Sequence, residues 1–169
     1  LIIGDGLNTR LNCWFDNPEV NGQAPDKVID FQDEVISLAA NDDTIVVAGR
    51  REGIRVWTNG NPCNGEPADK EYRNTISSIN ADNLQSIAYD SRHFYLLDGN
   101  GTLHVWDDIP TEGEVPEFSR DLETFEGILY SDGTHLSISG MDAFKFVKVS
   151  QISADITLQE IQFSDRPQM

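Results

Sequence analysis

Three histidines and a recurring acidic turn are the residues of this chain whose types could do chemistry. His93 and His135 fall near the start of successive strand patterns, one column apart, with Asp90 and Asp132 close by in sequence. Imidazoles and a carboxylate are metal-ligand chemistry. Unclustered histidines on strands more often face solvent, and that is the plainer reading of this pair. His104 alternates with apolar residues beside Trp106 and reads as the polar face of a strand. The chain has no phosphate-binding glycine loop, nucleophile elbow, CxxC or HExxH motif. Two cysteines are too few for a disulfide framework. Cys13 lies in a strand pattern and Cys63 in a loop a full repeat later, so they read as two thiols, with a bridge as the alternative. Asn100-Gly101-Thr102 is a glycosylation acceptor, a tripeptide that also arises by chance.

The chain has 169 residues, enough to bury one sizeable core, and length alone suggests one domain. It carries 29 Asp and Glu against 12 Lys and Arg, a net charge of -17. That balance argues against nucleic acid and anionic membrane surfaces as partners. It suits a solvated acidic surface, a cationic partner, a high-salt environment or bound divalent cations. No apolar run approaches the ~20 residues of a spanning helix, so no membrane insertion is expected. The first residue is Leu1, which suggests a processed chain or a fragment and leaves the compartment open.

The elements that must position these residues repeat. VNGQAPDK (20–27) and CNGEPADK (63–70) place Asn-Gly and Asp-Lys in register, and the match extends upstream from Trp57 onto Trp14. A third copy aligns Trp106 with Trp57, Asp90 with Asn41 and Ser86 with Ser37. A fourth sets Asp132 under Asp42, and Val147 stands where the tryptophan would be. Each copy reads as three short strands with period-2 alternation and a looser fourth segment. Arg55, His104 and Lys145 are the polar members of the third strands. Helical periodicity is absent almost throughout.

Four short antiparallel strands per unit, repeated, are the signature of an all-β propeller. The copies span approximately 1–32, 33–75, 76–123 and 124–169. The first lacks an opening strand, giving about three and three-quarter blades. A single blade cannot bury both faces, so neighbours must stack. The tryptophans then serve as packing between blades. Two readings compete, a small four-bladed ring with one depleted blade and part of a larger propeller. An unclosed ring leaves raw strand edges, so the larger propeller is expected, its remaining blades in the same or another chain.

The blade motif resembles that of NHL-repeat propellers of bacteria and archaea. Its carriers are Asp5, Gly6, Asn8, Arg10 and Trp14 with Asn21-Gly22 and Asp26, then Trp57, Asn64-Gly65 and Pro67-Ala68-Asp69. WD40 propellers are the alternative, since VWDD (105–108) ends a strand as their Trp-Asp does, although their Gly-His signature is absent. The resemblance implies six blades in the complete ring. Some six-bladed propellers are calcium-dependent lactonases or related hydrolases, which makes Asp42, Asp90 and Asp132, with Asn41 and Asp43, candidate calcium ligands. Their recurrence at equivalent positions points instead to turns held by side-chain-to-backbone bonds.

The turns between second and third strands vary most, and in propellers they share one face. Asn8, Arg10, Arg50, Arg51, Glu52, Asn100 and Asp142 are the candidate binding residues there. The function expected is a non-catalytic module for binding protein or small-molecule ligands or for assembly, extracytoplasmic, with no cofactor unless calcium. The alternatives are a calcium-dependent propeller hydrolase and an acidic surface component of a salt-adapted organism.

Overall fold

A computed structural model describes residues 2–5, 9–16, 22–31, 34–41, 43–50, 53–73, 75–76, 79–80, 83–90, 92–111, 113–122, 127–140, 143–152 and 159–162. The chain is all-β and divides into two compact units, Leu1–Asp82 and Asn83–Met169.

The first unit holds two large sheets. One is three-stranded, in the order β1 (Ile2–Asp5), β2 (Arg10–Cys13), β3 (Lys27–Asp30). The other is four-stranded: β4 (Val35–Ala40), β5 (Thr44–Gly49), β6 (Gly53–Thr58), β7 (Lys70–Tyr72). A short hairpin of β8 (Thr75–Ile76) and β9 (Ile79–Asn80) follows, which the repeat pattern does not announce. The second unit holds two four-stranded sheets. The third sheet of the chain runs β10 (Leu84–Tyr89), β11 (Phe94–Asp98), β12 (Thr102–Trp106), β13 (Phe118–Asp121). The fourth runs β14 (Ile128–Ser131), β15 (His135–Ser139), β16 (Ala143–Lys148), β17 (Gln159–Gln162). Every pairing is antiparallel between consecutive strands, the up-and-down order of a propeller blade.

Alternation along the strands builds the cores. In the first unit Leu11, Phe31, Val35, Val47 and Trp57 form one buried cluster, with Ile2, Ile29, Leu38 and Ile45 packed against it. In the second, Tyr95, Leu97, Leu103 and Val105 of the third sheet meet Leu129, Leu136, Ile138 and Val147 of the fourth. Each large apolar side chain so buried contributes about 1.5–3 kcal/mol. Val147 pairs with Leu136 as Trp106 pairs with Phe94, so valine occupies the tryptophan column of the last sheet.

Trp57 and Trp106 are buried and Trp14 is half-buried, and all three share a second task. Each indole N–H donates to a backbone carbonyl of the loop beyond its strand: Trp14 to Gln23 at 3.3 Å, Trp57 to Glu66 at 3.0 Å and Trp106 to Glu114 at 3.3 Å. The repeated Asn-Gly supplies the left-handed residue of that loop, Gly22 at φ 84° and Gly65 at φ 85°. The aspartate that follows closes it. Asp26 accepts from the Phe15 N–H at 2.8 Å, and Asp69 from the Thr58 N–H at 2.6 Å. In the third sheet Glu117 takes the place of Asp69, its own N–H bonding to Val105 as that of Asp69 bonds to Val56. Its carboxyl is hydrogen-bonded to Asp107, and that bond together with the Asp107 charge raises it above the ordinary glutamate range.

One expectation is corrected. Cys13 and Cys63 are joined in a disulfide across 50 residues, with Cα atoms 5.9 Å apart. Alignment within the repeat keeps the two apart. The packing of β3 against the loop that carries Cys63 brings them together.

Candidate functional site

The acidic turn proposed as a metal site is, among the described residues, a backbone device. Asn41, Asp90 and Asp132 occupy one position in three successive sheets, and each Oδ1 accepts two N–H bonds from the turn that follows. The donors are Asp43 and Thr44, Arg92 and His93, and Thr134 and His135, all at 2.7–3.1 Å. The column is therefore Asn41, Asp90 and Asp132; Asp42, set over Asp132 in the sequence alignment, lies outside the described residues. His93 and His135 share a column as well, each directly after this turn. Among the described residues no three His, Cys, Asp or Glu side chains converge as a metal site.

Asp90 is the elaborated member. Its side chain is 1 % exposed, and its Oδ2 accepts from the hydroxyls of Tyr95 at 2.8 Å and Ser131 at 3.0 Å. Burial pushes the carboxyl up, but the bonds from His93, Tyr95, Arg92 and Ser131 outweigh it and hold Asp90 below the ordinary aspartate range. Burial and the bond to Asp90 push the Tyr95 phenol far above its ordinary value. His93 brings Nδ1 to 3.6 Å from Asp90. Asp132, fully exposed, is lowered by its two backbone bonds.

The third-strand polar column also has structural partners. Arg55 donates to the Phe31 carbonyl, lies 4.4 Å over the Phe31 ring and pairs with Glu71. Lys145 reaches the equivalent carbonyl, that of Leu122, at 3.4 Å. His104 stands between Asp98, at 3.3 Å from Nε2, and Ser119, at 2.8 Å from Nδ1. An acid, an imidazole and a hydroxyl in line resemble a nucleophilic triad. The other oxygen of Asp98, Oδ1, accepts from the Asn100 and Thr102 N–H groups at 2.9 Å, which closes the β11–β12 turn and fixes the carboxylate beside His104.

Of the loop-face residues, Arg10 opens β2, is exposed and lies opposite Asp30 in register. Arg50 is held by Glu34, Nε to Oε2 at 2.7 Å and Nη2 to Oε1 at 3.1 Å, so it braces the entry to β4. Asn100 is exposed in the turn closed by Asp98, beside Gly101 at φ 82°. Asn8, Arg51, Glu52 and Asp142 lie outside the described residues.

A surface that composition does not announce lies on the fourth sheet. The registers place Ser86, Ala88, Tyr95, Leu97, Leu103 and Val105 on one face of the third sheet. That face is buried against the fourth, and the Ser86 hydroxyl accepts from the Leu129 N–H at 2.9 Å. The same positions of the fourth sheet are Ile128, Tyr130, Ser137, Ser139, Phe144 and Phe146. There Ile128 is 70 % and Tyr130 65 % exposed, and the Phe144 and Phe146 rings lie 5.9 Å apart. Alternation marks only the pairs Ile128/Tyr130 and Phe144/Phe146, and register joins them across β15. The face was missed because the last copy reads as degenerate once its tryptophan is gone.

No protein-family model matches the chain, and no curated protein matches it in sequence. Solved structures do. The U3-55K structure is similar with a TM-score of 0.61 at 11 % identity, over 95 % of this chain and 47 % of that one. The WD40 repeats of RRP9 give 0.59 at 12 % identity, over 96 % and 46 %. The WD40 β-propeller domain of Doa1 gives 0.52 at 15 % identity, over 78 % and 41 %. The chain thus spans about half the length of the solved structures it matches. At these identities the likeness is one of fold, and the fold is the β-propeller.

Proposed function

We propose that this chain is a non-catalytic propeller module for binding and assembly, and that the outer face of its fourth sheet receives a further β-blade. One observation carries the reading. The face of the third sheet that is covered by a blade and the opposite face of the fourth are built from the same strand positions, and the latter carries exposed Ile128 and Tyr130 with half-buried Phe144 and Phe146 beside Ser137 and Ser139. The blade that fits is a four-stranded antiparallel sheet whose inward residues match Leu129, Leu136, Ile138 and Val147, the side chains that cover the third sheet. A solvent-exposed apolar face of this kind marks an interaction surface. WD40 propellers among the similar structures support an interaction role for the fold. The NHL-like carriers, from Asp5 to Asp69, support blades of that type. The disulfide between Cys13 and Cys63 supports an oxidising, extracytoplasmic compartment.

The experiment is charge placed on the open face. Ile128→Glu and Tyr130→Glu should change the stability of the 169-residue chain by no more than about 0.5 kcal/mol, as surface substitutions do. They should also abolish the binding of a hydrophobic dye such as ANS. A loss of several kcal/mol in the isolated chain would mean the face is already covered, and would overturn the reading.

A further inference from the structure

Beyond the assembly face, we infer that the first unit holds a binding site for a polyhydroxylated ligand, a sugar ring, in a cavity beside the second sheet. The cavity measures about 320 Å³, at the small end of ligand sites. Its lining carries four carboxamides, Asn41, Asn59, Asn61 and Asn64, and two carboxylates, Asp43 and Glu66. Thr44 adds a hydroxyl and Ile45 an apolar side chain. Among the described residues no Lys, Arg or His lines it, and its two carboxylates oppose an anionic ligand.

The walls are fixed before any ligand arrives. The Asn59 N–H donates to the Asp43 carbonyl at 2.5 Å, and Asn59 holds φ at 58°, in the left-handed region where asparagine is tolerated. The Asn61 N–H donates to Glu66 Oε2 at 2.6 Å, while its own Oδ1 accepts from the Cys63 N–H at 2.8 Å. Asn41 likewise uses its Oδ1 on Asp43 and Thr44. The disulfide anchors the same loop at Cys63. Pre-organised walls lower the ordering cost of binding.

The donor and acceptor inventory selects the ligand class. A carboxamide offers two N–H donors and a carbonyl, a carboxylate only acceptors. With the amide oxygens of Asn41 and Asn61 engaged on backbone, what these side chains still offer is their NH₂ ends. A bare cation meets only the oxygens and is opposed by those donors. Hydroxyls both donate and accept, so vicinal hydroxyls of a sugar can answer carboxylates and amides together, with Ile45 against the ring's C–H face. At Gly60 the wall runs close to Glu66, whose Oε2 would stand 3.1 Å from a Cβ there.

The test is a titration of the ¹⁵N-labelled full chain, read from backbone amides and asparagine NH₂ groups. The probes are glucose, galactose, mannose and N-acetylglucosamine, with calcium chloride and arginine ethyl ester as competitors for the claim. At least one sugar should shift the Asn59, Asn61 and Asn64 signals, saturating with a Kd of about 10 mM or below. Asp43→Asn, which keeps the side chain's shape, should weaken that binding at least ~5-fold while leaving the remaining spectrum in place. The inference is overturned if no sugar shifts these signals, or if calcium or the arginine ester shifts them and the sugars do not. Sugar binding of equal strength in the Asp43→Asn variant would overturn it too.

Discussion

Asp90 concentrates more hydrogen bonds than any other acidic side chain described above. Its four donors come from its own turn, from Tyr95 and from Ser131 on the neighbouring sheet. Asp90→Ala should therefore cost about 2–3 kcal/mol, since it leaves the buried Tyr95 hydroxyl and the half-buried His93 N–H and Ser131 hydroxyl without their acceptor. Tyr95→Phe, which removes one donor, should cost about 1 kcal/mol. The pH dependence follows from the lowered carboxyl. A group depressed in the folded state gives stability that is present above 3.8, the ordinary aspartate value, and is lost as the pH falls through its folded value below that. Urea titrations of wild type and Asp90→Asn should converge as the pH drops from 4 toward 2; curves that stay parallel would remove Asp90 from this role. The sequence marked the Asp90 position by recurrence and matched it to a turn motif. Tyr95 and Ser131 were not legible, because nothing local ties residue 90 to residue 131.

At the scale of elements, most of the fold could be read directly. VISLAA is β4, GIRVWT is β6, and LQSIAY is β10, because short apolar and β-branched runs bounded by turn residues read as strands buried between neighbouring layers. The repeated Asn-Gly and Asp were readable as a turn, and the indole-to-carbonyl bond gives the reason the tryptophan recurs with them. The disulfide was not legible. It joins a strand of one copy to a loop of the next, a contact that alignment of copies cannot show. Its loss is measurable: closing a loop of 50 residues corresponds to about 4 kcal/mol in the chain-entropy account. Reduction, or Cys13→Ser with Cys63→Ser, should lower the melting temperature of the first unit markedly and leave the Asn83–Met169 unit little changed. Hydrogen exchange resolved by unit checks this, and equal loosening of both units would contradict it.

For the whole molecule, charge and the open face matter most. A net charge of -17 makes the compact state repel itself, and salt screens that repulsion. The melting temperature should rise as sodium chloride goes from 20 mM to 0.5 M, and a flat profile would show the charges to be well dispersed or paired. Composition gave this directly. The open face of the fourth sheet required register, since Ile128 and Tyr130 are separated in sequence from Phe144 and Phe146 and meet only through β15.

The most direct measurement of the central claim is the reactivity of Tyr130 toward tetranitromethane, mapped by mass spectrometry, in two folded proteins. One is this chain, and the other is this chain extended after Met169 by a further copy of residues 76–123. In the first, Tyr130 should react readily while buried Tyr95 is spared. In the second, a docked blade should protect Tyr130 at least tenfold. Tyr130 remaining equally reactive beside a folded fifth blade would contradict the account.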